Sequence, residues 1–114
     1  MGVEGAGYAM NLQPIDIIRR VAQYRGVSVA DLKGPRRWAH WVQARKECYW
    51  LLRKHTNLSL PAIGHVMGNR DHTTVLHGIR RVYALAQRSE AYADELGRMC
   101  QVDTFAAALQ REAA

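Results

Sequence analysis

The stretch GNRDHTTVLHGIRRV, Gly68 to Val82, decides how this chain is read. Its first four residues, Gly68 to Asp71, form a turn. Val75, Leu76, Ile79, Val82 and Leu85 then recur at helical spacing, which predicts a helix from His72 to about Gln87 with Asp71 as its cap. Histidine and threonine are mediocre helix formers, yet His72, Thr73 and Thr74 fill the first turn. Just upstream, SLPAIGHVMG offers Ser59 as a cap and Pro61 in the first turn. Leu60, Ile63, Val66 and Met67 form its apolar face and Gly68 its stop, giving a helix of about two turns. A short helix, a glycine-containing turn and a longer helix make the pattern of a helix-turn-helix.

In such a motif the second helix lies in the major groove of DNA and its N-terminal residues touch base edges. Short polar groups at the helix front then have a purpose. His72, Thr73 and Thr74 can exchange hydrogen bonds with bases, and the threonine methyls can pack on the thymine methyl. Asp71 either caps the helix or accepts from a cytosine amino group. Arg70 is within reach of a guanine or a phosphate, and the free amides of a helix start favour a phosphate.

The flanking sequence is helical throughout and carries no convincing strand. PIDIIRRVAQYRG starts on Pro14, lines up Ile15, Ile18, Val21 and Ala22, and stops at Gly26. Ser28 caps a short helix ending near Gly34. Pro35 opens a longer one to about His55, on which Trp41, Cys48, Leu52 and His55 share a side. On that helix Trp50 stands between Lys46 and Lys54 and is half-exposed unless another helix covers it. A last amphipathic stretch, from about Ser89 to Glu112, carries Tyr92, Leu96, Met99, Phe105 and Leu109, with Gly97 and Asp103 as breaking points. The fold class is all-α, a compact domain of about five or six helices. Residues 1–10 are expected to be disordered, 11–90 to form the helix-turn-helix domain, and 91–114 to be a C-terminal helical extension.

The 114 residues suffice for one domain with a modest core, and the 48% apolar content is that of a globular chain. No apolar run approaches a membrane span, and the start has neither a basic nor an apolar signal region. Cys48 and Cys100 read as ordinary reduced thiols. The net charge of +6 is unevenly placed. From Lys33 to Arg81 ten basic residues face only Glu47 and Asp71, leaving +8, while the rest of the chain carries −2. Such a field attracts polyanions. His65, His72 and His77 are spaced by seven and five, a poor metal pattern. Neighbours at a helix start do not converge on one point, so Asp71, His72 and Thr73 make no catalytic cluster. No enzyme, metal or cofactor is expected.

The run LPAIGHVMGNRDHTTVLHGIRRV resembles the C-terminal DNA-binding domain of the bacterial replication initiator DnaA, whose fold is similar to that of the Trp repressor. VAQYRGVSVADLKGPRR is similar to that domain's opening helix and basic loop. The resemblance covers roughly residues 15 to 90, about two thirds of the chain. It implies that Asp71, His72 and Thr73 read the bases of a short A·T-rich box, with Pro61 near those bases, and Arg70 and Thr74 are assigned to the bases with them. It implies further that Arg37 of the basic loop enters the minor groove and that Arg45, Lys46 and Arg53 of the long helix bind phosphates. Arg36, Lys54, His77 and Arg81 are assigned to the phosphates beside them. The chain departs from the family at Pro35, Trp38 and Ala39, where basic residues are common. It departs also at Ala44 in place of proline and at Asn69 in place of a second turn glycine.

DnaA is an ATPase, and no G-x-x-x-x-G-K-[ST] phosphate loop occurs here. The chain is therefore expected to act as the DNA-binding domain on its own, without a nucleotide partner. The expected role is that of a sequence-specific regulator of transcription or replication, cytoplasmic and nucleoid-associated, of bacterial, phage or mobile-element origin. Double-stranded DNA is its expected partner, and the C-terminal helix is a candidate surface for a homodimer or a protein partner. The alternative is a protein-interaction module of replication control that has lost sequence-specific DNA binding.

Overall fold

The computed structural model describes residues 12–100, and all regular structure among them is helical. The elements are α1 (Pro14–Arg25), α2 (Val29–Lys33), α3 (Ala39–His55), α4 (Leu60–Val66), α5 (His72–Arg88) and α6 (Glu90–Cys100). Their ends follow local chemistry. Pro14 opens α1, and Gly26, at φ 72°, closes it in the left-handed region. Ser28 and Asp31 form a reciprocal capping box on α2, with Asp31 N–H donating to Ser28 Oγ at 2.9 Å and Ser28 N–H to Asp31 Oδ2 at 3.3 Å. Ser59 Oγ accepts from Ala62 N–H at the start of α4, and Ser89 Oγ from Tyr92 N–H at the start of α6.

α3 is the central element and packs on each of the other five helices. One apolar cluster joins them: Ile17, Ile18 and Val21 of α1, Leu32 of α2, Cys48, Leu51 and Leu52 of α3, Ile63 of α4, Val75 and Val82 of α5, and Leu96 and Met99 of α6. The helical stripes expected of α1, α4 and α5 supply most of these residues; in α1 Ile17 is buried in place of the expected Ile15, and in α5 Leu76, Ile79 and Leu85 are only partly buried beside Val75 and Val82. Burial pushes the Cys48 thiol well above the ordinary thiol range, in keeping with a packed and unreactive sulfur.

Two expectations are corrected. Pro35 does not open a helix: residues 34–38 form a loop, and α3 starts at Ala39 with Trp38 as its extended N-cap. Gly97 does not interrupt α6, which continues to Cys100; the remainder of the expected C-terminal stretch, with Asp103, Phe105 and Leu109, lies outside the described residues, as does the disorder expected of residues 1–10. Trp50 is half-buried because α5 covers it, the Tyr83 ring lying 5.9 Å from its own.

The helices are also tied by one buried carboxylate. Glu47 is fully buried in α3 and accepts from Arg25 Nε at 2.8 Å and Arg25 Nη2 at 2.7 Å. The Tyr92 hydroxyl donates to Glu47 Oε2 at 2.7 Å, and the Gln43 amide donates to the same oxygen at 3.4 Å. Arg25 also reaches Glu95 at 3.3 Å. The Glu47 hydrogen bond raises the Arg25 pKa above its ordinary value against the opposing effect of burial. The C-terminal turn of α1, the middle of α3 and the first half of α6 are thereby joined at one charge.

Removing the cation leaves a buried anion with no counter-charge, whereas removing the anion leaves a cation near the surface. Arg25→Met should therefore cost about 3–5 kcal/mol in urea unfolding, and Glu47→Gln clearly less. Equal costs for the two would show that the carboxylate is solvated and the network loose.

Candidate nucleic-acid interface

α4, the turn and α5 form the helix-turn-helix. The turn closes when Arg70 N–H donates to the Gly64 carbonyl at 2.8 Å. Gly64 is required there, because a Cβ on it would lie 2.0 Å from the Arg70 carbonyl oxygen. Asn69 takes φ 62°, a left-handed conformation that asparagine tolerates, so the turn forms without a second glycine. In α5, Gly78 lets the helix approach α3 closely: a Cβ there would come 2.6 Å from the Tyr49 ring. The sequence held a signal for this contact, since a mid-helix glycine costs about 1 kcal/mol relative to alanine and needs a packing reason.

Asp71, His72, Thr73 and Thr74 are all exposed at the front of α5. Asp71 is the N-cap: its Oδ2 accepts from Thr73 N–H at 2.9 Å and also from the Thr73 hydroxyl. These bonds, the hydroxyl first, hold the Asp71 carboxyl below its ordinary pKa. Its other oxygen lies 3.8 Å from His72 Nδ1. Of the two roles weighed for Asp71, the cap is present.

Beside this turn runs a groove of about 810 Å³ between the 34–38 loop, α3 and α5. Arg37 of the loop, Lys46 of α3, and Thr74, His77 and Arg81 of α5 all line it. Residues up to 44 positions apart in sequence thus share one cationic surface. Lys33, at the end of α2, lines it too, a position that the sequence reading had left unassigned. Arg53 and Lys54 are exposed near the C-terminal end of α3 rather than in the groove. There Arg53 Nη1 donates to the Leu58 carbonyl at 3.2 Å, and Lys54 Nζ lies 5.9 Å from the Trp50 ring centre. Arg36 is exposed on the loop, and Pro61 on the first turn of α4.

Two arginines are placed differently from expectation. Arg45 was expected on phosphates, but it is buried, 4% exposed, and its donors are taken by main-chain carbonyls. Nε donates to Leu32 at 2.8 Å, and Nη2 to Asp31 and Gly34 at 2.9 Å each. Arg70 was expected on bases, but its Nη1 donates to the Lys33 carbonyl at 3.2 Å and to that of Met67, and its Nη2 to that of Gly34. The cause is common to both. α2 ends at Lys33, and a helix C-terminus presents carbonyls without intrahelical partners and a partial negative charge. Two guanidiniums collect those carbonyls. Desolvation first, and then the neighbouring Arg70 charge, lower the Arg45 pKa from its ordinary value.

A helix-turn-helix whose exposed polar turn borders a cationic groove defines the class of helix-turn-helix DNA-binding domains. Within that class, the chain belongs to the family described as the bacterial DnaA protein helix-turn-helix, whose profile matches residues 14–82. It is 44% identical over 81 residues to the chromosomal replication initiator protein DnaA of Xanthobacter autotrophicus, a match covering 71% of this chain and 16% of that protein. With DnaA of Thermus thermophilus it shares 41% identity over 78 residues, or 68% of this chain and 18% of the relative. With DnaA of Roseobacter denitrificans it shares 36% over 81 residues, or 71% and 18%. The chain therefore spans less than a fifth of the length of these relatives.

Arg45 and Arg70 should act on folding before anything else. Arg45→Met and Arg70→Met are each expected to lower stability by roughly 1–3 kcal/mol, since both strand several carbonyls. Thermal melts followed by circular dichroism measure this, and wild-type melting of both variants would return the two guanidiniums to the surface set.

Proposed function

We propose that the chain binds double-stranded DNA in a sequence-specific manner, with α5 in the major groove. The observation that carries this reading is the exposed first turn of α5 standing beside the cationic groove. His72, Thr73 and Thr74 offer donors, acceptors and methyl groups for base edges. Asp71 fixes the turn and offers its second carboxylate oxygen, and Pro61 is assigned beside the same bases. Arg37 suits the narrow, negative minor groove of an A·T-rich site. Lys46, His77 and Arg81 are assigned to phosphates from within the groove, and Arg36, Arg53 and Lys54 from its flanks; such contacts set register while the helix reads sequence. Arg45 and Arg70 are left out of the contact set.

The relatives' role as chromosomal replication initiators favours control of replication over control of transcription, exercised at the nucleoid. Among the described residues no helix is long and apolar enough to cross a membrane. The reading is of a binding domain rather than an enzyme.

The deciding experiment is selection of bound sequences from a random duplex pool. One A·T-rich box should be enriched; a pool that emerges without enrichment overturns the reading. His72→Ala and Thr73→Ala should then erase about 1–3 kcal/mol of preference for that box over a scrambled duplex in mobility-shift competition. Either variant that keeps full selectivity drops out of the base-reading set.

Phosphate contacts carry a different signature. Lys46→Met and Arg81→Met should weaken box and scrambled duplex alike and flatten the log–log salt dependence by about 1 unit each, with melting unchanged. A slope equal to that of the wild type would remove the residue concerned from the phosphate set.

A further inference from the structure

Trp38 and Tyr83 are the large apolar side chains left exposed among the described residues, at 58% and 51%. Tyr83 leans on Trp50, but Trp38 projects from the loop that borders the cationic groove. We infer that Trp38 is an aromatic DNA contact, its indole packing against a base or sugar face beside Arg37. The inference rests on the DNA-binding reading above and adds to it a residue at which the family commonly carries a cation.

The loop presents the indole from a fixed base. The Gly34 carbonyl at its start is held by both Arg45 and Arg70. At its end Trp38 is the N-cap of α3, and its carbonyl accepts from Val42 N–H at 2.9 Å. The ring is braced by Trp41, with centroids 4.7 Å apart, and by the Arg36 guanidinium 5.3 Å from its centre. An indole already held in place loses little freedom on binding. Isolated exposed apolar residues are ordinary, but paired tryptophans beside an arginine have the make-up of an interface hot spot.

The neighbours specify the partner. The Arg36 guanidinium lies over the ring, Arg37 precedes it in the loop, and the groove beyond is cationic, so the partner is an anion. An indole adds a requirement for flat, weakly polar faces. Nucleic acid meets both demands, and an acidic protein surface meets only the first. Minor-groove proteins commonly insert an apolar side chain at a base step and partly unstack it. Trp38, adjacent to the arginine assigned to that groove, has the size and position to do so.

The test uses the full chain with an alternating poly(dA-dT) duplex carrying 2-aminopurine, which brightens when unstacked. The wild type should bind and brighten the probe. Trp38→Ala should lower affinity roughly five- to a hundredfold, the worth of one base–aromatic stack, keep the salt slope and lose the brightening. Trp38→Phe should recover most of both. Trp38→Lys should not, although it adds a charge. Wild-type affinity and brightening in Trp38→Ala, or rescue by lysine as good as by phenylalanine, would overturn the inference while leaving the DNA-binding reading intact. Capture by phosphatidylglycerol vesicles that depends on Trp38, with duplex binding independent of it, would also overturn it and point to a membrane. Failure of the wild type on every duplex would remove the DNA-binding reading itself, and is seen before any Trp38 variant is made. The exposed position predicts unchanged melting for all three variants.

Discussion

Two guanidiniums meet at one carbonyl oxygen, that of Gly34, and the geometry of the binding face depends on that junction. Arg45 reaches it from inside α3, and Arg70 from the turn of the helix-turn-helix. Each also takes further carbonyls at the end of α2. The 34–38 loop, α3 and the turn that leads into α5 therefore share a fixed corner. The loop carrying Arg36, Arg37 and Trp38 starts at this corner and is braced at its end by the Trp38–Trp41 ring contact. A helix C-terminus whose carbonyls need donors is a local backbone requirement, and here it is met by residues 11 to 37 positions away.

The buried Glu47 cluster does comparable work on the opposite side of the molecule by different chemistry. There the cation is matched by an anion, and hydroxyl and amide donors from Tyr92 and Gln43 complete the carboxylate's shell. This brings α6 into the domain: Tyr92 and Glu95 reach back toward Glu47 and Arg25, while Leu96 and Met99 enter the common core. The helix that the sequence offered as a surface for partners has much of one face committed inward.

The elements themselves were legible because their signals are local. Pro14, Gly26, Ser28, Ser59 and Asp71 each act within one turn of their own position, and the 3.6-residue stripes name the faces that are buried. The exposed front of α5 was legible for the same reason: polar residues that weaken a helix were gathered where a cap begins it. The fates of Arg45 and Arg70 were not legible. Nothing in the spacing of an arginine on a helix or in a turn says whether its guanidinium faces water or a distant carbonyl, and the needy carbonyls of α2 appear only once the chain is folded. Pro35 misled for a related reason: its fixed φ suits a first helical turn, but the tertiary junction holds the chain extended there. Glu47, the one acid inside a run of cations before Asp71, was an anomaly in plain view whose partners lay too far along the chain to name.

The same distinction changes what the central positive charge means. Counting side chains gives the stretch from Lys33 to Arg81 an excess of +8, as if every cation were available to a phosphate. Arg45 and Arg70 spend donors on main-chain carbonyls instead. Yet their partners are carbonyl dipoles rather than carboxylates, so neither charge is cancelled, and both residues themselves line the groove. Arg25, by contrast, is neutralised by Glu47. The two arginines therefore still add to the long-range field that draws a polyanion in. The same two guanidiniums hold the face in shape and charge it, and the exposed cations and polar turn stand around them.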